Sequence, residues 1–494
     1  MRDEKYYTDI EAGIPTGQFR TRFAPSPTGF MHLGGIRTAL YAYLLAKKHE
    51  GVLVLRIEDT DQERFVEGAT EVIYDTLKDV GIIYDEGPDV GGPVAPYVQS
   101  ERREIYQAYA ELLVSRGHAY YCFCDKKTLD EQRAIHQASN TPHKYDKRCL
   151  SLSKDEVANK LSENISYVIR QNVPNEGKVH FDDAVYERIE VEVSTLEDQV
   201  ILKSDGLPTY NFANVVDDKL MGITHVVRGN EFLSSTPKHV LLYQGFGWDT
   251  PKYIHVPQIM RNSTTKLSKR DGDAYYGDFI AKGYLKEALL NYIVLLGWNP
   301  GGENEKFSLA ELADVFGVEG ISKSPAIFDY QKLNWLNGVY LRDMTDGEFH
   351  AAALPYIRQT VKGDFDTMFI AKVLKERCEL LTDIPEQVGF IDKLPEYSNE
   401  LFINKKMKTD AENSKEVLNE ILVTLQMVSI WDKETIHTAL MELVERLDVK
   451  NGRVLWPLRV ALSGKAQTPG GGIEIAVILG KDESIKRIGK ALEK

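Results

Sequence analysis

The sequence predicts an α/β fold: a Rossmann-type parallel-sheet domain carrying an inserted α+β domain, followed by α-helical domains. Three observations predict it. From Arg20 to about Ser100, strand-like runs such as VLVLRI alternate with helical patterns such as FVEGATEVIYDTLKDVG, the order of βαβ units. Residues 203–261 return to that alternation, with THVVRG, SSTPKHVLLYQGFG and YIHVPQIM, after a stretch of different character. From about Tyr284 the strand signals fade, and LKEALLNYIVLLGW, EVLNEILVTLQMV, KETIHTALMELVERL and SIKRIGKALEK keep apolar residues at helical spacing.

Residues 1–19, MRDEKYYTDIEAGIPTGQF, read as a short mixed-charge tail. They have no apolar signal core and are too acidic for a mitochondrial presequence, and no apolar run in the chain approaches the length of a membrane span, so a cytoplasmic protein without membrane contact is expected. The chain has 494 residues, 43% of them hydrophobic, enough for several folded domains. A net charge of −14 argues against coating nucleic acid non-specifically, yet a local basic face on an acidic protein still binds RNA. Four cysteines in so long a chain make a disulfide framework unexpected.

The segment RFAPSPTGFMHLGGIRTAL, residues 22–40, reads as strand, tight loop and helix: Arg20–Ala24 suit a strand, and Ile36, Leu40, Tyr43 and Leu44 recur at helical spacing behind Gly34 and Gly35. Such a junction presents backbone N–H groups at a helix start where glycines allow close approach, a natural phosphate site, with His32 beside the phosphate. It is neither a dinucleotide fingerprint nor a P-loop. By itself His32 is better read as a loop histidine making one backbone hydrogen bond.

Residues 101–202 are predicted to be an insertion with strand-like pieces ISYVIRQNV, KVHF and IEVEV. It gathers three of the four cysteines, Cys122, Cys124 and Cys149, in one stretch. Four N, S or O ligands satisfy zinc, and scattered structural thiols do not usually cluster in this way; the alternative is reduced thiols on a surface module. Cys378 belongs to a helix and reads as a packing residue.

TTKLSKRDG, residues 264–272, follows the last sheet strand and carries Lys266, Lys269 and Arg270. Alone it is a solvated basic loop. Paired with HLGG (residues 32–35), KLSKR resembles the second of the two signatures of class I aminoacyl-tRNA synthetases. RFAPSPTGxxHxGGxRTAL, RIEDTD, YNFANVVDD and HVVRGNEFLSSTPKH are similar to the glutamyl branch of that family, and the resemblance runs from about Arg20 to the C-terminus. The fourth position of the first signature is Gly35 rather than histidine, as is usual in this branch.

The resemblance implies amino-acid activation by ATP with Mg²⁺, through an aminoacyl-adenylate, followed by transfer to the 3′ end of tRNA(Glu), with tRNA(Gln) as a further acceptor in organisms that make Gln-tRNA indirectly. It implies a catalytic domain split between residues 20–100 and 203–265, an acceptor-binding connective domain over 101–202, a stem-contact domain over 266–345, an anticodon-binding domain over 346–494, and a monomer. His32, Gly34 and Gly35 would hold ATP phosphates, while Lys266, Ser268 and Lys269 would stabilise pyrophosphate, with His32, Lys266 and Lys269 catalytic. For L-glutamate, Glu58 would meet the ammonium, Arg22 and Arg228 the side-chain carboxylate bidentately, and Tyr210, Asn214, Ser26 and Ala24 would complete the pocket. Cys122, Cys124, Tyr145 and Cys149 match the C-x-C and Y-x-x-x-C by which some members hold structural Zn²⁺. A small-metabolite nucleotidyltransferase of the same superfamily needs no long helical region after KLSKR, a truncated paralogue that modifies a tRNA base lacks it, and the glutaminyl enzyme builds its anticodon region from β-barrels. A non-catalytic RNA-binding paralogue, the remaining alternative, has no need of an intact HLGG, Glu58 and KLSKR.

Overall fold

The computed structural model describes residues 2–138, 144–267 and 275–494, apart from Gln62 and Phe65. The chain forms two compact units: one runs to Asp278 and takes in Leu290–Phe328, the other comprises Phe279–Leu289 and Asp329–Lys494.

The first unit begins with helix α1 (Glu4–Ala12), where a tail was expected. Asp3 caps it, and its Tyr7 is buried with the hydroxyl donating to the Ala108 carbonyl at 2.9 Å, so an aromatic side chain turns the segment into part of the core. Strand β1 (Arg20–Phe23), helix α2 (Leu33–Lys48) and strand β2 (Val52–Leu55) form the first βαβ unit, the strands paired in parallel. Helix α3 (Ala69–Asp79) follows, then α4 (Arg103–Ser115). Gly68 caps α3 without a side chain; upstream of it, Asp59 accepts the Ser100 N–H and Asp61 pairs with Arg64.

The insertion contributes an antiparallel sheet of β3 (Ala119–Cys122), β4 (Val168–Gln171) and a later strand, together with helices α5 (Lys126–Ala138) and α6 (Lys154–Ser162). Next come β5 (Lys178–Asp183) and β6 (Glu187–Glu192), a hairpin whose β5 pairs in parallel with β9 (Lys252–Val256). KVHF and IEVEV, expected with the insertion, thus extend the central sheet. The third strand of the insertion's sheet is β7 (Val200–Leu202), followed by α7 (Tyr210–Leu220), β8 (His225–Gly229) and α8 (Thr236–Phe246). Strand β8 pairs in parallel with β9, and the Thr224 N–H at its start donates to the Arg20 carbonyl, tying β1 alongside. The parallel pairings β1–β2 and β8–β9 carry the expected α/β architecture.

The second unit is helical. Side-chain caps at Asp329, Thr345, Asp366, Asp410 and Asp432 start its main helices, and Ile421, Leu425, Leu440 and Leu458 are among its buried core. Arg487 is buried there and donates to the carbonyls of Phe390, Ile391 and Leu462, satisfying backbone acceptors at and beyond helix ends. Among the described residues, no helix is long and apolar enough to cross a membrane.

Candidate active site

The carboxyl ends of β1, β2, β8 and β9 meet at one edge of the first unit, where open α/β sheets hold ligands. A cavity of about 260 Å³ opens there, lined among others by Arg22, Ala24, Ser26, Glu58, Tyr210 and Arg228. A second, of about 270 Å³, adjoins it through shared Gly34, Gly35, Thr38, Gly229 and Glu231 and takes in His32, Arg37 and Lys266. Residues far apart in the chain thus form two connected chambers. Asn214 lines neither: it is buried, and its Nδ2 donates to the Tyr210 carbonyl at 3.0 Å, bracing the first turn of α7 beneath the cavity. Ser268 and Lys269 lie outside the described residues.

His32 is the N-cap of α2. Its Nδ1 accepts the Gly34 N–H at 3.1 Å, and its carbonyl accepts the Gly35 N–H at 2.8 Å. Both glycine N–H groups are therefore taken up by His32 at the helix start rather than offered to a phosphate. What the glycines leave is space, since a Cβ at Gly35 would meet nothing within 4 Å. With Nδ1 acting as acceptor, the ring proton sits on Nε2. Tyr275, just beyond the KLSKR stretch, forms an antiparallel bridge with His32, so the described ends of the two motifs flank the same chamber.

The walls of the first chamber differ in charge. Arg22 donates Nε–H to Asp218 Oδ1 at 3.0 Å and Nη1–H to the Val227 carbonyl at 3.0 Å. Asp218 also pairs with Arg56, which reaches Glu58 at 3.0 Å, and Arg102 pairs with the neighbouring Asp217 at 2.8 Å. Three guanidiniums and three carboxylates therefore balance in a buried cluster. Burial nevertheless holds the Glu58 carboxyl up at about 7, against the opposing pull of Arg56 and Arg22. Arg228 is also buried but has no carboxylate in ion-pair range among the described residues; it donates to His255 Nε2, His239 Nδ1 and Thr236 Oγ1. The rings of Phe232 and Tyr253 flank it at 5.4 and 5.3 Å. Burial raises the Tyr210 hydroxyl to about 12, keeping it a neutral donor.

Sequence reasoning missed Arg37, Arg56 and Asp218. Arg37 was legible, because it follows Gly34 by three residues and so shares its helix face; it donates to the carbonyls of Leu296 and Pro257, closing the second chamber. Arg56 and Asp218 sit inside the quoted motifs but become partners only through the crossing of β2 and α7.

In the insertion, the Sγ atoms of Cys122, Cys124 and Cys149 lie within 4.8 Å of one another. The Tyr145 hydroxyl is 3.3 Å from Cys122 and 3.2 Å from Cys124. Three sulfurs and one phenol oxygen converging in this way suit a tetrahedral ion such as zinc.

The chain belongs to the class I aminoacyl-tRNA synthetases: residues 18–335 match the family described as tRNA synthetases class I (E and Q), catalytic domain, and residues 348–492 match an anticodon binding domain. Relatives along nearly the whole chain are glutamate–tRNA ligases. That of Clostridium tetani (strain Massachusetts / E88) is 58% identical over 97% of this chain and 98% of its own, and that of Clostridium botulinum (strain Eklund 17B / Type B) is 56% identical over 96% and 99%. Among solved structures, a glutamate tRNA ligase from Elizabethkingia meningosepticum in complex with its amino acid matches with a TM-score of 0.87 and 35% identity over 97% of this chain and 100% of that one. The glutamate–tRNA synthetase of Elizabethkingia anophelis matches with 0.86 and 36% over the same shares.

Proposed function

We propose that this protein joins L-glutamate to the 3′ end of tRNA(Glu) in protein synthesis, through a glutamyl-adenylate made from ATP. One observation carries the reading of the amino-acid chamber. Arg228 is a buried cation that lacks a carboxylate partner among the described residues, and it lines a cavity whose wall also bears Glu58, a carboxylate suited to an ammonium. Glutamate supplies the complementary charges. Its side-chain carboxylate would meet Arg228, with Arg22 and Tyr210 beside it, and Ala24, Ser26 and the support of Asn214 would shape the remaining wall.

The α-carboxylate then attacks the α-phosphorus of ATP, forming the carboxyl–phosphorus bond as the bond to pyrophosphate breaks. His32 donates Nε2–H to the phosphate oxygens, and Gly34 and Gly35 let them approach the helix start. Lys266, Ser268 and Lys269 stabilise the charge that passes to pyrophosphate. Mg²⁺ carried in by ATP would supply further positive charge at the phosphates. In the second step a hydroxyl at the tRNA 3′ end attacks the adenylate carbonyl and AMP leaves. Residues 101–202 receive the acceptor end, 266–345 contact the stem and 346–494 read the anticodon, in a cytoplasmic monomer; charging assays with purified tRNA(Glu) and tRNA(Gln) decide whether the second tRNA is also an acceptor. Cys122, Cys124, Tyr145 and Cys149 would hold Zn²⁺, which pins the insertion without taking part in chemistry.

The test is tRNA-dependent ATP–pyrophosphate exchange with glutamate and with glutamine. The neutral amide leaves Arg228 unpaired and turns an NH₂ toward N–H donors, so glutamine should be rejected by roughly 10⁴ to 10⁵. Arg228→Ala should lower glutamate activation sharply while sparing the KM for ATP. Comparable glutamine activation by the parent, or parental glutamate kinetics in the variant, rules the pocket assignment out.

A further inference from the structure

Arg228 is held by a polar chain that the reaction itself does not use. Strand β9 places His255 beneath it, and α8 places His239 at its side; both imidazoles and Thr236 are almost fully buried. Arginine only donates, so each imidazole must turn a lone pair toward it. His255 Nε2 accepts from Arg228 Nε at 3.0 Å, leaving Nδ1 as the protonated nitrogen, which lies 2.6 Å from Asp183 Oδ2. His239 Nδ1 accepts at 3.2 Å, leaving Nε2–H to donate to Asn211 Oδ1 at 2.9 Å. The Thr236 hydroxyl accepts from Nη2 at 2.7 Å and donates its own O–H to the Phe232 carbonyl at 2.8 Å. A guanidinium has five N–H donors, and these three acceptors do not use them all.

The chemistry of the acceptors matters. A carboxylate in their place would neutralise Arg228, as Asp218 does Arg22, and weaken its preference for a carboxylate substrate. Neutral imidazoles orient the guanidinium and leave its charge intact. Asp183 is set back behind His255, so the negative charge acts through a ring rather than on the cation. We propose that Asp183, His255, His239 and Asn211 are positioning residues that hold Arg228 oriented but unneutralised, and that this arrangement sets the preference for a carboxylate over an amide side chain.

Asp183 provides the cleanest handle. Its Oδ1 accepts the backbone N–H groups of Val185 and Tyr186, at 2.9 and 2.8 Å, while Oδ2 accepts the His255 backbone N–H at 3.2 Å as well as the ring, so turning the amide oxygen the other way would leave two backbone donors unsatisfied instead of one. In Asp183→Asn those two donors keep the amide oxygen on their side, so the NH₂ faces His255. The ring must then accept at Nδ1 and carry its proton on Nε2, aimed at the Nε–H of Arg228.

The inference rests on the glutamate pocket proposed above. The experiment measures tRNA-dependent pyrophosphate exchange with glutamate and glutamine for the parent, Arg228→Ala, Asp183→Asn, His255→Leu and His255→Gln, with melting curves and ¹⁵N spectra of the histidine rings. Asp183→Asn should move the His255 proton to Nε2, raise the KM for glutamate about tenfold or more, narrow the glutamate-to-glutamine ratio and leave the KM for ATP unchanged. His255→Leu should lose as much, and His255→Gln, which restores an acceptor near the Nε2 position, should recover much of it. If Arg228→Ala loses glutamate activation while folded Asp183→Asn, with its tautomer moved, keeps parental KM and selectivity, the positioning role is overturned and the pocket stands. If Arg228→Ala keeps parental glutamate kinetics, the pocket itself falls and the inference with it. Should His255→Leu fail to fold, the nearly isosteric Asp183→Asn decides alone.

Discussion

Arg22 and Asp218 form a buried ion pair, Nε to Oδ1 at 3.0 Å, so one of the two arginines expected to face the substrate is already neutralised inside the protein. The same Asp218 oxygen lies 2.8 Å from Arg56 Nη1. Two guanidiniums therefore depend on one carboxylate, whose pKa they hold below its usual value against the effect of burial.

Removing that carboxylate takes the ion-pair partner from buried Arg22 and one of the partners from Arg56, which keeps Glu58 at 3.0 Å. Asp218→Ala is expected to destabilise the first unit by about 3–5 kcal/mol, and Asp218→Asn, which keeps one acceptor, by less. Urea unfolding followed by fluorescence checks this. A loss below about 1 kcal/mol would mean that water reaches Arg22 and Arg56.

Glu58 should impose a pH dependence on glutamate capture. Its folded-state value is raised to about 7 by burial, so below that pH the empty pocket increasingly holds a neutral acid that attracts an ammonium poorly. The kcat/KM for glutamate should fall by up to about tenfold per unit below this value, and Glu58→Gln should abolish the step along with most of the activity. The stability contribution has the opposite sense: the folded state retains the proton more tightly, so between the ordinary value of 4.5 and about 7 this group's contribution to stability declines as pH rises. Initial rates against pH at subsaturating glutamate are the measurement.

Lys266 lies exposed at the rim of the second chamber, in which His32 also stands. Lys266→Ala should slow activation by about 10² while leaving the melting temperature within a degree or so, because an exposed lysine adds little to stability. Unaltered charging of tRNA by this variant would remove Lys266 from the pyrophosphate site.

The sulfur cluster predicts one equivalent of zinc in protein prepared without chelator. Cys149→Ser should lose the metal and loosen the insertion, seen as faster proteolysis within residues 119–171, with an unchanged KM for ATP. Elemental analysis that finds no metal would reduce the cluster to three hydrogen-bonded thiols.

Much of the fold was legible because local patterns and tertiary outcome agree. VLVLRI, THVVRG and YIHVPQIM each supply strand residues, and the helical periodicity from Asp329 onward has become the helical second unit, while Leu290–Phe328 joins the first. The exceptions have physical causes. The N-terminal segment looked like a tail because nothing in its own composition announces that Tyr7 has a groove to fill. The hairpin at 178–192 looked like part of the insertion because strand propensity does not encode which sheet a strand joins.

By itself the sequence determined the residue types at the site: a histidine and two glycines at a helix start, a lysine loop, an acid after a strand, and two arginines in apolar strands. Those choices follow from backbone geometry and charge, which are local. Only the tertiary structure decided how the charges are shared. Arg22 and Arg228 look equivalent in sequence, yet α7 brings Asp218 to the first while β9 and α8 bring neutral imidazoles to the second. A buried charge takes its character from its partners, and partners brought by distant elements cannot be read from the local pattern.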